Sequence, residues 1–187
     1  MRAHFSRVGT LCALAALMVL AACKTKARPI VAKKVVLPDS AEQVIFGMSA
    51  FLSDNGVRKG RLLSDTAYMY NEATGKRLEL RRVNFTFFTP TGADDGTMTA
   101  KTGTYSERLN RLEGRGTVIV ARKDGSRLES PQLVYDNARN QIFSDSNFVL
   151  HQTRQVTTGI GFESDPKLNN LKCMRNCKLN ASVQVPR

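Results

Sequence analysis

Cys23 is the residue whose surroundings most clearly indicate chemistry. It ends the run LAAC (residues 20–23), after the basic residues Arg2 and Arg7 and an apolar stretch over residues 8–22. A positive start, a short apolar run and small residues before a cleavage point are the parts of a secretory signal. Small residues before a cysteine form a lipobox, in which the thiol takes a diacylglyceryl group. We therefore predict a lipoprotein signal peptide over residues 1–22 and lipid attachment at Cys23. The alternative is an ordinary signal peptide that is followed by a cysteine by chance.

The remaining cysteines point to a second kind of chemistry. Cys12 would leave with the signal, so Cys173 and Cys177 form the pair that stays in the exported chain beside Cys23. Paired cysteines in an exported protein are typical of a disulfide. Free thiols and a metal site remain as alternatives, although no histidine or further cysteine lies nearby to complete a metal site. We predict a Cys173–Cys177 disulfide and no metal.

The sequence offers few candidate catalytic residues. His151 is the single histidine after the signal, and the sequence contains no G-x-S-x-G nucleophile motif. Asp94 and Asp95 lie in a glycine-rich segment, where turn formation explains them. His151 stands beside a β-type run and is more typical of a strand surface than of a catalyst. We therefore expect no catalytic residues and no cofactor.

A unit repeated about three times over residues 61–150 organises the rest of the chain. Its copies begin at Arg61, Thr97 and Arg127. In each, the next residue is apolar (Leu62, Met98, Leu128), a small residue follows it two positions later, and a tyrosine or methionine follows it seven positions later. A polar turn follows, then an apolar return position and a β-branched or aromatic run. Each copy predicts a strand, a turn and a strand. Because a lone hairpin is marginal in water, the copies predict one continuous antiparallel sheet.

The domain organisation follows from this unit. Alternation typical of a half-buried strand begins near residue 41, and a last strand around Val156 to Phe162 ends at Asp165-Pro166. We predict a signal over residues 1–22, an acylated cysteine and flexible tether over 23–40, one β domain over 41–166, and a basic tail with the cysteine pair over 167–187.

Charge is distributed unevenly along the chain. Of the 28 basic residues, 12 lie in residues 1–34 and 167–187, where none of the 16 acidic residues is found, so residues 35–166 hold 16 of each. A neutral body argues against a nucleic-acid groove, in spite of the net charge of +12. The basic ends fit an anionic membrane surface beside a lipid anchor, or are simply solvated.

Several short motifs occur in an order that resembles a known family. They are DNGVRKG (residues 54–60), LLSDTAYMY (62–70), LEL (78–80) and LVYD (133–136), after an N-terminal anchor and a tether. Together they resemble LptC, the periplasmic component of the lipopolysaccharide export machine, and its LptA and OstA relatives. The resemblance implies an all-β, partly open β-jellyroll that holds lipopolysaccharide acyl chains. It also implies edge-to-edge stacking with other Lpt components, namely an inner-membrane ABC transporter and an LptA-like bridge.

Alternation within the strands predicts which side chains would line such an interior. On the first return strand the parity changes at Arg81-Arg82, which indicates a bulge. The predicted inner-face and lipid-binding residues are Leu78, Leu80, Val83, Phe85, Phe87, Val118, Val120, Ile142, Phe148 and Leu150. The alternative is that these residues simply fill a core.

The sequence departs from the family at its start. The familiar LptC keeps an uncleaved transmembrane helix, whereas this chain has a lipobox followed by Lys24. In well-studied lipoprotein sorting, Asp at that position retains a protein at the inner membrane. We therefore expect a lipid anchor on the periplasmic side of a bacterial membrane and leave inner or outer membrane open. Two functions stay in view: a lipopolysaccharide carrier, and an envelope scaffold that uses the sheet only for protein contacts.

Overall fold

The described part of the computed structural model, residues 41–181, is a single antiparallel sheet. Nine strands follow one another as neighbours in chain order, so the all-β open architecture is confirmed. The predicted signal over residues 1–22, Cys23 and the tether up to residue 40 lie outside the described residues, as do the last six residues. The strands are β1 (Gln43–Asp54), β2 (Val57–Glu72), β3 (Gly75–Phe88), β4 (Asp94–Ser106), β5 (Arg111–Ala121), β6 (Arg127–Asp136), β7 (Gln141–Gln152), β8 (Gln155–Ser164) and β9 (Lys172–Ala181).

Local turn chemistry explains how the strands connect. Asn55 and Gly56 join β1 to β2 with φ angles of +48° and +78°, as expected of an Asn-Gly hairpin turn whose two central residues both need positive φ. Asp124 accepts a hydrogen bond from the backbone N–H of Ser126 at 2.8 Å in the turn between β5 and β6. The strand β8 ends at Ser164, directly before the predicted stop at Asp165-Pro166.

A row of interrupted pairing crosses eight of the nine strands. In each of these strands one or more residues are left out of the regular pairing with a neighbour. We take one such residue per strand as a marker, and four of the eight markers have positive φ. Such bulges bend a strand and increase its twist. We call this row the fold line; its members are Gly47, Asp65, Arg82, Lys101, Gly116, Pro131, Asp145 and Gly161. The bulge predicted at Arg81-Arg82 is one of them, with φ of +52° at Arg82.

The sheet doubles over along the fold line. The ring of Phe87 in β3 lies 5.3 Å from that of Tyr135 in β6. Since neighbouring strands lie about 4.8 Å apart, a flat sheet would put β3 and β6 about 14 Å apart. The side chain of Asn137, just after β6, also donates to the carbonyl of Ser53 in β1 at 3.0 Å. Both contacts join strand parts on opposite sides of the fold line, so those parts form two facing layers.

The two layers can be defined by their turns. The first layer holds the strand parts on the side of the β1–β2 turn, and the second layer holds those on the side of the β2–β3 turn. The layers are joined at the fold line and meet again at the opposite side, which we call the mouth. Leu168, in the loop between β8 and β9, is 1% exposed and belongs to the core.

The sheet continues beyond residue 166, the predicted end of the β domain. Strand β9 pairs with β8 through partners such as Phe162 with Cys173 and Thr157 with Leu179. Its residues are almost all exposed, apart from the half-buried Cys173. A strand without a buried face shows no alternation, which is why the pattern of apolar residues stops earlier than the hydrogen bonding does.

Candidate functional site

The interior between the two layers collects the residues predicted for the inner face. Nine of the ten are buried, with exposed fractions of 3% or less, and Leu78 is half-buried against them. They belong to one continuous hydrophobic cluster. The structure therefore brings the whole predicted set together, on the faces that the alternation assigns.

Side chains already fill this interior. The rings of Phe85 and Phe87 meet edge to face at 4.9 Å, Phe85 lies 5.2 Å from Tyr135, and Phe148 lies 5.1 Å from Phe162. Such contacts are typical of a packed core. An acyl chain could enter only if these side chains moved apart.

The predicted set missed several of the most buried residues. Among them are Leu62, Met98 and Leu128, which are exposed by 1% or less. These three are the first apolar positions of the repeated unit, so the signal that finds them was present in the sequence. Others in the same cluster are Leu112, Leu133, Tyr135, Phe162 and Leu168.

Serine hydroxyls hold the backbone where it bends. Ser64 Oγ lies 2.8 Å from the carbonyl of Thr66 and 2.7 Å from that of Arg81. Ser130 Oγ lies 2.8 Å from the carbonyl of Gln132 and 3.0 Å from that of Asn147. Both serines directly precede the fold line and occupy the small position of the repeated unit. In the first and third copies that position therefore supplies a donor to carbonyls that the interrupted pairing leaves free, whereas the second copy has Ala100 there.

A buried polar cluster joins the layers at the mouth. Asn137 is fully buried, and its Nδ2 donates to Ser53 O and to Asn110 Oδ1 at 3.0 and 2.9 Å. Tyr135 reaches the same cluster through its hydroxyl, 3.3 Å from Asn137 Oδ1. Burial raises the pKa of Tyr135, with a smaller contribution from the charge of Asp54. The phenol therefore stays protonated and can donate within the cluster.

Asp136 lies beside this cluster as a buried carboxylate. Its Oδ2 accepts a hydrogen bond from Arg111 Nε at 2.8 Å, and its Oδ1 accepts one from the backbone N–H of Arg139 at 3.0 Å. Burial alone would raise the pKa of Asp136. The hydrogen bonds from Arg139 and Arg111, with the charges of both arginines, outweigh it and hold the pKa below its usual value.

Cys173 and Cys177 are joined by a disulfide within the single strand β9. Their Cα atoms lie 6.0 Å apart, whereas four residues of regular strand would span about 13 Å. The strand is therefore bulged between them, and Asn176 has a φ of +50°. The sulfur of Cys173 covers Gly159 in β8, where an added Cβ would lie 2.4 Å from that sulfur.

The two edge strands expose apolar side chains. In the described residues β1 and β9 each lack a neighbour on one side. Phe46 and Phe51 of β1 are 62% and 48% exposed, and Met174 and Leu179 of β9 are 48% and 66% exposed. Unpaired edges with apolar side chains are surfaces to which another strand can add.

Other chemistry has little support in the described part of the chain. Over residues 41–181 no group of three or more His, Cys, Asp or Glu side chains is placed to hold a metal ion. In the same range no helix has the length and apolar character needed to cross a membrane. His151 is an exposed residue of β7, paired in register with Arg127 of β6.

A family model matches most of the chain. The family model described as "Lipopolysaccharide-assembly, LptC-related" matches residues 10–179, which includes nearly all of the described sheet. No curated protein sequence matches the chain.

Proposed function

Because the chain belongs to the LptC-related family of lipopolysaccharide assembly, and so to lipopolysaccharide transport at the periplasmic side of the cell envelope, we propose the following mechanism for it. The protein binds the acyl chains of lipopolysaccharide between its two layers and passes them to the next β domain of a bridge toward the outer membrane. Members of this family are transport components rather than enzymes.

The direction of the fold line, and with it of the interior between the layers, is the observation that carries this proposal; this interior is the acyl-chain groove of the proposal. The fold line runs across the strands, from Gly47 in β1 to Gly161 in β8. The space between the layers therefore runs in the same direction and ends at the two unpaired edges. If a second β domain added its edge strand to β1 or β9, the two interiors would line up. Edge-to-edge stacking would in this way produce a continuous apolar path.

Energetics favour a cargo that is bound and released again. Each acyl methylene removed from water contributes about 0.8 kcal/mol. Against this, the chain must separate side chains that already pack together, which costs contacts throughout the core. The hydrogen bond from Asn137 to Ser53 joins the layers at the mouth and must break if they part there. Moderate net affinity is what a carrier needs.

Anchoring and partners complete the proposal. An acylated Cys23 would hold the protein on a membrane, because multiple acyl chains give stable attachment. Partners would be an inner-membrane ABC transporter, which supplies the energy, and an LptA-like bridge domain at an edge strand. Metabolic labelling with a palmitate analogue tests the anchor: the wild-type protein should carry the label, and a Cys23→Ala variant should not.

In-cell photocrosslinking tests the carrier function. A photoreactive residue is placed in turn at Phe85, Phe87, Val118 and Phe148, with the exposed Lys101 as the control position, and the products are probed for lipopolysaccharide. We expect lipopolysaccharide adducts at the four interior positions and none at Lys101. Equal adducts at Lys101, or none at the interior positions of a folded protein, would rule out the groove as the binding site.

The tight burial of the interior favours a second candidate. A protein that used its sheet only for contacts with other envelope proteins would need a filled core, and exposed fractions of 3% or less fit that requirement. In the same experiment a scaffold would give protein adducts at photoreactive residues on β1 and β9. It would give no lipid adducts inside.

A further inference from the structure

A cavity of about 310 Å³ opens at the mouth, on the side away from the fold line. Its first-layer wall includes Phe87, Phe88 and the segment Val57–Lys59, and its second-layer wall includes Asn140 and Asp165–Lys167. This volume is at the lower end of small-ligand sites, which span about 300–1,000 Å³. The cavity therefore lies between the layers, at the place where a molecule held between them would emerge.

Three basic side chains line the cavity. Arg58, Lys59 and Lys167 contribute to its walls, and within residues 41–181 none of the three forms an ion pair. The guanidinium of Arg58 lies 4.4 Å from the centre of the exposed Phe51 ring and makes a cation–π contact with it. Lys167 is next to Leu168, which is buried in the core.

The two acidic residues of the cavity are already engaged. Asp95 accepts from Arg122 at 2.7 Å, and the side chain of Arg122 is only 5% exposed. Asp165 accepts from the backbone N–H of Asn169 and from Asn170 Nδ2, at 3.1 and 2.9 Å. Arg122 thus neutralises Asp95, whereas the partners of Asp165 are neutral groups. One acidic residue without a cationic partner in the described residues therefore stands against three cations, so the lining carries a net positive charge that favours an anion.

Phe87 connects the cavity to the apolar interior. It lines the cavity, yet it is only 3% exposed and packs edge to face against Phe85 and Tyr135. An amphiphile whose chains lay among these rings would place its polar end in the cavity, next to the three cations. Lysine and arginine bind phosphate through charge-assisted hydrogen bonds.

From this arrangement we infer that the cavity at the mouth is a binding site for the phosphomonoester head group of an amphiphile whose acyl chains lie between the layers. The inference rests on the proposed function and extends it. The groove would recognise the hydrocarbon of the cargo, and Arg58, Lys59 and Lys167 would recognise its phosphate. Cargo lacking phosphate would then bind less tightly and without a fixed orientation.

The test compares two variants of the purified protein that remove equal charge. The cavity variant combines Arg58→Gln, Lys59→Gln and Lys167→Gln. The control variant combines Lys76→Gln, Lys101→Gln and Arg154→Gln, three exposed positions that do not line the cavity. Affinity is measured by calorimetry in a nonionic detergent for three probes: bisphosphorylated lipid A, the same lipid after enzymatic removal of its phosphates, and inorganic phosphate. Circular dichroism checks that both variants fold.

In the wild type and the control variant, we expect removal of the lipid phosphates to weaken binding about tenfold, equivalent to about 1.4 kcal/mol. In the cavity variant, the phosphorylated lipid should bind about tenfold more weakly than to the wild type, and phosphate removal should have no further effect. Inorganic phosphate should bind far more weakly than the lipid, because it lacks the acyl chains.

Three results would overturn the inference. Retention of the phosphate preference in the cavity variant would place recognition elsewhere, while equal loss in both variants would point to general charge attraction. Inorganic phosphate binding as tightly as the lipid would make the cavity a free-phosphate site. In all three cases dephosphorylated lipid would still bind, and the carrier function would stand. If neither lipid bound the wild-type protein, the proposed function itself would fail, and this inference with it.

Discussion

Replacing Ser130 by alanine tests whether hydroxyl groups hold the fold line. Ser130 is 6% exposed, and its hydroxyl lies within hydrogen-bonding distance of two carbonyls, those of Gln132 on its own strand and Asn147 on β7. No regular ladder pairing joins β6 to β7 between Glu129 and Val134. Ser130 therefore provides a direct link between these strands at the point where both bend.

The expected loss follows from the number of bonds involved. A hydroxyl has one proton and can donate to one of the two carbonyls at a time. Removing it costs about 0.5–1.5 kcal/mol for the bond, and about 1–3 kcal/mol if the buried carbonyl finds no water. We expect Ser130→Ala to lower the free energy of unfolding by about 1–3 kcal/mol. With a urea dependence of about 1–3 kcal/mol per molar, the midpoint should fall by about 1 M.

Urea unfolding followed by far-ultraviolet circular dichroism measures this loss, which suits a chain without tryptophan. Ser64→Ala removes the equivalent hydroxyl in the first repeat and should cost a similar amount. The double variant should show the sum of both losses, because β2 and β6 are about 19 Å apart along the fold line. The exposed Ser49→Ala should change stability by less than about 0.5 kcal/mol. If Ser130→Ala and Ser64→Ala were as mild as Ser49→Ala, the hydroxyls would have no part in holding the bend.

Three further changes address the mouth and the β9 edge. Asn137→Ala removes the buried amide that donates a hydrogen bond to Ser53 and should lower the free energy of unfolding in urea by about 1–3 kcal/mol. An unchanged midpoint would mean that this hydrogen bond does not hold the layers together at the mouth. The pKa of Asp136 is lowered in the folded state, so its carboxylate stabilises the fold at pH values above about 3.9, the usual pKa of Asp in an unfolded chain. This stabilisation is lost as the pH falls through the lower pKa of the folded state. Stability should thus drop on acidification below about pH 4, and less so in Asp136→Asn; parallel pH profiles would argue against this role. Gly159→Ala would place a Cβ 2.4 Å from the sulfur of Cys173 and should lower the free energy of unfolding by about 1–3 kcal/mol. This loss should be smaller after the disulfide is reduced with dithiothreitol. An equal loss before and after reduction would mean that other neighbours of Gly159 cause it.

The repeated unit made the fold class and the inner face predictable. Nine of the ten residues predicted by alternation are buried, whereas Leu62, Met98 and Leu128, which recur at one position of the unit, are buried but were left out of the predicted set. Alternation is a local property, since each side chain is assigned to a face by its position relative to its neighbours in sequence. The same locality revealed the bulge at Arg82, because two arginines in succession break the alternation of β3.

The remainder of the fold line could not be predicted in this way. At Asp65, Lys101 and Asp145 the skipped residue is charged and exposed, as an ordinary outward-facing strand residue would be. What makes these residues a line is that they are neighbours across the sheet, which depends on strand register. Register is set by turns and by contacts between distant strands. The doubling of the sheet therefore depends on many strands together and cannot be predicted from the sequence of any one of them.

Strand β9 shows the opposite limit, because it pairs with β8 through main-chain hydrogen bonds although its sequence shows almost no alternation. Alternation reports burial of one face, not main-chain pairing, so an edge strand exposed on both faces leaves no such pattern. The predicted boundary at residue 166 consequently marks the end of the alternating pattern rather than the end of the sheet. Cys173 is the exception, since its sulfur covers Gly159 at the edge of the core. A disulfide within one short segment indicates only that its two cysteines are close together, so the predicted Cys173–Cys177 pair did not reveal that this segment pairs with β8.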